Sequence, residues 1–477
     1  MFKRNYVHKM IARFAADDQN RTALMMYDGQ QVTEIDYRSL AEKILRTANY
    51  FNRNGLTGRH IALIGGNCQE WLIAFFAIAA SGNVVVPVNP GLPVEMVLAQ
   101  CAFTDVSVIC GDHQDIAAYA EKYLCVSFAT LSCETPMVLE EMNEAEPDAT
   151  AVLLFTSGTT GNSKAVEISY ANLENSVISE EGDFAKPGIN RIMMALPMFH
   201  IAGIRSALTM LYRYKTLCIG RGMKYLFRDM PVLSPDYITL VPLIVESLIK
   251  IVKRTSREDL RKNYIGSNLK WLCIGGATID ADSCRYLVQE GFVVDNAYAL
   301  SETTGVGTWG KWNEQRPNTI GRLSEELQFR IVDGELQFKG DAIMKGYYKD
   351  PEATKTAIED GWLHTGDLGF CDEDGFFYLT GRKKDLIVMP NGEKLNPEEI
   401  ERHFTNCDGI VECLARLGER DNALCIEVVA KDQDEVRKFV DQYNERMPLS
   451  YNIRKIVYRD KLLERTINGK LIRKDRS

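Results

Sequence analysis

The stretch LLFTSGTTGNSKAVEIS, Leu153 to Ser169, decides how the rest of the chain is read. Two apolar, strand-like pieces flank a loop of two glycines, two serines, three threonines, an asparagine and a lysine. Backbone amides freed at Gly158 and Gly161, with hydroxyls from Thr156, Ser157, Thr159 and Thr160, suit the oxygens of a phosphate. Lys164 adds a cation. The Walker pattern G-x-x-x-x-G-K-[ST] cannot be laid on these residues. Val166 and Ile168 alternate as in a strand, whereas a Walker loop opens a helix at its lysine. The segment predicts a strand–loop–strand anion clamp. Standing alone, it competes with a plain surface hairpin.

Size and composition limit what surrounds this loop. The chain has 477 residues, 45% of them apolar and 25% charged. That is long enough for more than one core, and too apolar for wholesale disorder. A net charge of −9 gives no general attraction to nucleic acid or to an anionic membrane. The twelve cysteines include no C-x-x-C pair and the six histidines no H-x-x-x-H pair. Metal-cluster and disulfide-framework readings therefore fail on spacing, and reduced thiols in a cytoplasmic protein are expected. The opening MFKRNYVHKMIARF lacks the continuous apolar core of a secretory signal. The longest apolar run, Trp71 to Ala80, is too short to span a membrane and predicts a buried helix feeding a strand at Val84–Val88.

Working outward, short β-branched runs alternate with helical patterns up to about Gly310. They lie at Ile61–Ile64, Val84–Val88, Ser107–Cys110, Ile192–Leu196, Leu217–Ile219 and Leu272–Ile274. The expected fold class is α/β, with layered, largely buried sheets in a large N-terminal domain. Strand-like runs separated by Gly- and Asp-rich turns suggest a β-rich subdomain at about 315–380. A joint is expected at Gly381–Asp385, dividing a large domain 1–381 from a small α+β domain 382–477. In the latter, Asn396 can cap a helix that has Pro397 in its first turn, with Glu398, Glu399 and Glu401 near the positive end of its dipole. Strands at Ile410–Leu417 and Leu424–Ala430, a helix near Asp434–Tyr443 and a strand near Ile453–Val457 complete it. The final stretch, 446–477, holds 10 Lys/Arg against 3 Asp/Glu. It is either a contact for an anionic ligand or a solvated tail.

FTSGTTGNSK resembles the phosphate loop of the adenylate-forming superfamily, which includes acyl-CoA synthetases, amino-acid adenylation domains and beetle luciferases. Further motifs of that family follow in order: LPMFHIAG (Leu196–Gly203), GGA (Gly275–Ala277), YALSET (Tyr298–Thr303), GWLHTGD (Gly361–Asp367), GRKKDLI (Gly381–Ile387), NGEKLNPEEIE (Asn391–Glu401) and TINGK (Thr466–Lys470). The resemblance runs from about residue 20 to the end. It implies a mobile C-terminal lid, with ATP, magnesium and coenzyme A as cofactor and co-substrates.

The roles implied by the resemblance follow the chemistry. A carboxylate must attack the α-phosphate of ATP, so the site must spread positive charge over the phosphates and hold the attacking oxygen in line. Glu302 matches a magnesium-binding glutamate, and Thr303 a residue near the α-phosphate. Tyr298 and the Gly275–Gly276–Ala277 turn resemble the two walls of an adenine slot. Ala299 and Ser301 stand where the family usually has glycine and threonine. Asp367 matches the aspartate that accepts from the ribose hydroxyls, and Arg382 a second ribose or phosphate contact. Lys470 matches the lysine that neutralises charge at the forming P–O bond. Lys384 holds the hinge position, and Gly392 lines the tunnel for the pantetheine thiol. His200 stands where amino-acid adenylation domains carry an aspartate for the substrate ammonium, which disfavours an α-amino acid; catalysis and a core hydrogen bond are both open to it.

Three functions are in play. The leading one is an AMP-forming acyl-CoA ligase acting on a fatty or aromatic acid, succinylbenzoate-like acids included. The second is an acyl-AMP ligase that loads a carrier protein, and the third a non-catalytic nucleotide-binding relative. Lys164, Glu302, Asp367, Arg382 and Lys470 are all present, which argues against the third.

Overall fold

The structure is a computed structural model that describes residues 6–131, 135–142, 145–156, 164–178, 188–276, 279–389, 393–404, 407–418 and 423–463. Ser157, Gly158, Thr159, Thr160, Gly161, Ala277, Gly392 and Lys470 lie outside them. Packing divides the chain into two units. The first comprises Met1–Thr156, Ser163–Gln328 and Phe338–Leu363; the second comprises Ser157–Asn162, Phe329–Gln337 and His364–Ser477. Gly381–Asp385, the expected joint, falls within the second unit so divided.

The first unit is built on two sheets. In one, Leu124–Ser127, Val106–Gly111, His60–Ile64, Val84–Val88 and Thr150–Phe155 run parallel in that order. Ala165–Ser169 then turns back antiparallel beside Thr150–Phe155. The other has a parallel centre, in which Thr22–Tyr27, Thr216–Ile219, Arg191–Met193, Tyr237–Leu240, Trp271–Ile274 and Val293–Ala299 lie side by side. Parallel strands are covered on both faces, which is why their sequences read as unbroken apolar runs instead of alternating ones. All ten residues from Trp71 to Ala80 are buried, in a helix spanning Gln69–Ala80. Trp71, Phe75 and Phe76 join Ile61, Leu63 and Val85 of one sheet and Leu24, Ile192 and Leu217 of the other in a single core.

The run expected as a strand to Leu196 stops at Met193. Beyond it, the Asn67 side chain donates to the carbonyls of Met194 (3.0 Å) and Leu196 (2.8 Å) and accepts the Met198 N–H. Pro197 has no N–H to offer a neighbouring strand. The segment is thereby held as a shaped loop leading to His200.

In the second unit, the stretches 329–332, 335–337, 364–371 and 376–382 are sheet neighbours in that order. The C-terminal residues form a three-stranded sheet in which Leu424–Ala430 pairs antiparallel with Ile410–Leu417 and parallel with Lys455–Tyr458. Helices Pro397–Phe404 and Gln433–Arg446 close its core through Ile400, Phe404, Val436, Val440 and Tyr443. Asn396 caps the first of these by accepting the Glu398 N–H at 3.0 Å. In the first unit, a helix at Pro351–Ala357, capped by Asp350, interrupts the stretch read as β-rich. Just before it, Gly346–Tyr347 pairs with Ala165–Ser169 of the first unit's own sheet.

Candidate active site

Within the first unit, the base of the phosphate loop is closed where the strands leave it. The Thr156 N–H donates to the Lys164 carbonyl at 2.9 Å. The register Phe155↔Ala165 makes these two residues the last paired positions of the hairpin. Lys164 is exposed, and its ammonium lies 4.5 Å from the ring centroid of Tyr347.

Glu302 follows the Val293–Ala299 strand. Its Oε1 accepts the Tyr347 hydroxyl at 2.9 Å, and its carbonyl accepts the Met344 N–H at 2.9 Å. Among the described residues Oε2 carries no hydrogen bond. Tyr347 is half-buried; burial and the nearby carboxylate push its phenol well above the ordinary value. One side chain thus joins the expected loop cation to the expected metal carboxylate. Sequence reading missed Tyr347, which stands in the run GYYKDPEAT, Gly346 to Thr354.

Thr303, expected beside a phosphate, is bonded to the backbone of its own turn. It is 0% exposed. Its hydroxyl accepts from the Leu300 N–H at 3.2 Å and faces the carbonyls of Leu300 and Val306. A hydroxyl so engaged shapes the turn that presents Glu302, its one proton directed at protein carbonyls.

Tyr298 is half-buried on its strand, with its ring tilted against Phe338 at 6.4 Å. The strand beside it can approach only because Gly307 lacks a Cβ: one built there would lie 2.0 Å from the Tyr298 carbonyl oxygen. Gly275 and Gly276 follow the neighbouring Trp271–Ile274 strand, and Gly276 sits at φ +83°, a left-handed conformation that favours glycine. His200 precedes the helix Ile201–Tyr212, and burial holds its imidazole below the ordinary value. Burial thus favours its neutral form.

Within the second unit, Asp367 and Arg382 are cross-strand partners, with Nε 2.9 Å from Oδ1. Asp367 is 3% exposed. Below this pair lies a buried carboxylate the sequence did not reveal. Glu335 accepts from Lys383 Nζ and the Gly366 N–H, both at 2.9 Å, and faces His364 Nδ1 at 3.3 Å. Burial alone would raise its pKa; the bonds from Lys383, Gly366 and His364 outweigh it and hold the carboxyl below its usual range. Thr365, Gly366, Arg382, Lys383 and Lys384 line a shallow cleft there. Lys384 is exposed within the short turn Lys383–Asp385.

Among the described residues, no cluster of three or more His, Cys, Asp or Glu could hold a metal by protein groups alone. A single carboxylate with one oxygen unbonded, as at Glu302, fits an ion that takes most of its ligands from phosphate and water.

The chain is similar to several proteins of known name and fold. Peroxisomal OPC-8:0-CoA ligase 1 of Arabidopsis thaliana is 26% identical over 441 residues, covering 82% of this chain and 78% of the plant protein. The 2-succinylbenzoate–CoA ligase of Bacillus cytotoxicus is 26% identical over 446 residues, 88% of each chain. Among solved structures, the o-succinylbenzoate CoA synthetase (MenE) of Bacillus subtilis, in complex with the acyl-adenylate intermediate OSB-AMP, superposes with a TM-score of 0.85 at 23% identity, over 97% of this chain and 96% of that one. The same enzyme with ATP and magnesium ion gives 0.84 at 22% identity, over 97% and 98%. The family described as AMP-binding enzyme matches residues 11–348, more than half of the sequence, and the chain belongs to it.

Proposed function

We propose that this protein is an AMP-forming acid–thiol ligase: it joins a carboxylic acid to ATP as acyl-AMP, releases pyrophosphate, and passes the acyl group to coenzyme A. The observation that carries this reading is the meeting of Lys164 and Glu302 at Tyr347, one against its ring and the other at its hydroxyl. A MgATP site needs a cation for the phosphates and a carboxylate for the ion. Relatives from a plant and from bacteria are named CoA ligases, which supports coenzyme A as acceptor.

In this proposal the loop residues Thr156–Gly161 and Lys164 bind the phosphates, and Glu302 contributes one carboxylate to magnesium. Magnesium, when bound with ATP, neutralises phosphate charge. Tyr298 and Gly275–Ala277 enclose the adenine, while Asp367 and Arg382 hold the ribose. Lys470 stabilises charge as the acid oxygen bonds to the α-phosphate and pyrophosphate leaves. The thiol then attacks the acyl carbon and AMP departs. Lys384 is the hinge for the lid residues, and Gly392 leaves room for the pantetheine arm. The acid is fatty or aromatic; a neutral His200 offers no charge to an α-ammonium. A cytoplasmic setting is part of this proposal, since the cysteine spacing suits reduced thiols; among the described residues no helix is long and apolar enough to cross a membrane.

Mass spectrometry of products tests the reading, using ATP, magnesium and a mixed acid pool with and without coenzyme A. An acyl-CoA mass that appears only with coenzyme A is expected. Acyl-AMP without thioester would move the acceptor to a carrier protein.

A further inference from the structure

We infer that Tyr347 is a positioning residue of the nucleotide site, holding the Glu302 carboxylate and the Lys164 ammonium in working geometry before ATP arrives. The inference rests on the reading of those two residues given above, and assigns a task to a side chain outside the quoted motif roles.

The first support is that Tyr347 serves both partners at once. Its hydroxyl donates to Glu302 Oε1 at 2.9 Å, while its ring faces the Lys164 ammonium 4.5 Å from the centroid. A glutamate side chain has several rotamers, and a single donor on one oxygen selects among them while leaving the other oxygen for an ion. An exposed lysine is similarly restricted by an aromatic face. The lysine meets the face of the ring and the glutamate its hydroxyl, so one side chain gives each charge its own contact.

The second support is how firmly Tyr347 itself is placed. Tyr347 pairs with Val166, two residues beyond Lys164, so loop base and tyrosine share one ladder. Its N–H donates to Thr354 Oγ1 at 2.8 Å. The next two residues clamp the segment to Asp105: Tyr348 donates its hydroxyl at 2.8 Å and Lys349 its ammonium at 2.6 Å. Asp105 and Lys349 both adopt left-handed backbone, at φ +52° and +57°. Non-glycine residues keep such conformations where surrounding contacts over-determine them. Because the Asp105–Lys349 pair is exposed, its charge attraction alone contributes little, and its effect is on geometry.

Equilibrium binding of a fluorescent ATP analogue to the full chain, without acid so that nothing turns over, tests the assignment. Titrations run with magnesium and with EDTA. Wild type should bind more tightly with magnesium, and Glu302→Gln should remove that gain. Tyr347→Phe keeps the ring and loses the donor, so it should forfeit roughly tenfold of the magnesium-dependent gain with EDTA affinity unchanged. Tyr347→Leu should also lose roughly 2–5-fold in EDTA, as Lys164 loses its aromatic face. If Glu302→Gln removes the gain and Tyr347→Phe retains it, the positioning role is wrong while the functional reading stands. If wild type shows no magnesium-dependent gain, the reading of the site fails and takes the inference with it. Equal losses in both titrations, together with a lowered melting temperature for Tyr347→Phe, would reduce Tyr347 to a packing residue and overturn the proposal.

Discussion

Asp367 and Arg382 face each other across two antiparallel strands, with the guanidinium Nε 2.9 Å from the carboxylate Oδ1. The carboxylate is buried and held by a fixed partner, so its orientation is set before any ligand binds. If it accepts the ribose hydroxyls, Asp367→Asn should raise the KM for ATP about 10–100-fold and leave the KM for the acid near wild type. The sharper check uses 2′-deoxy-ATP. Wild type should discriminate against it, and the variant should do so far less. Undiminished discrimination in Asp367→Asn would move the ribose contact elsewhere.

Glu335 gives the second unit a pH-dependent element of stability. Its folded pKa lies below the ordinary carboxylate value because hydrogen bonds outweigh the opposing effect of burial. A depressed folded pKa means the unfolded chain takes up the proton first as pH falls. The contribution is therefore fully present above the unfolded value, near 4.3, and is lost as pH drops through the lower folded value. Glu335→Gln should be less stable than wild type at pH 7 by about 1–2 kcal/mol, and the gap should narrow at pH 4 and below. Chemical unfolding at the two pH values measures this directly; a gap that widens in acid would be the wrong sign.

What the sequence disclosed depended on how local the cause was. Ile410–Leu417 and Leu424–Ala430 end where expected because apolar and β-branched runs signal strands within a few residues. Asn396 before Pro397 announces its helix for the same reason. Gly346–Tyr347 is a strand of two residues, too short to show any period, and its partner lies far back in the sequence beside Lys164. Nothing in its immediate neighbours marks Glu335 for burial; Lys383 and Gly366 converge on it from distant segments. The YALSET motif located Thr303 but not the direction of its hydroxyl, which depends on how the chain turns at Val306.

The turn assigned to Thr303 makes a stability prediction. Thr303→Val keeps the volume and removes the hydroxyl from a site with 0% exposure, leaving the Leu300 N–H and facing carbonyls without it. A loss of about 1–3 kcal/mol is expected, the cost of buried polar groups left unbonded. Thr303→Ser keeps the bonds and should recover most of it. Because Glu302 stands on the same turn, magnesium-dependent ATP binding should weaken in the valine variant and return with serine. A valine variant of wild-type stability with weakened ATP binding would instead put the hydroxyl on a phosphate.

If Lys470, in the TINGK motif, supplies the adenylation cation as proposed, it separates the two half-reactions. A cation at the forming P–O bond acts on adenylate formation and has no task once acyl-AMP exists. Lys470→Ala should slow pyrophosphate release roughly 100–1,000-fold, the range seen when one electrostatic donor is removed from a reacting centre. Supplied with acyl-AMP made in advance, the same variant should form acyl-CoA within a few-fold of wild type. Pyrophosphate release and thioester formation are therefore measured on one preparation. Parallel loss of both would mean that Lys470 supports the fold or the acceptor step, and the division of labour between Lys470 and Gly392 would have to be redrawn.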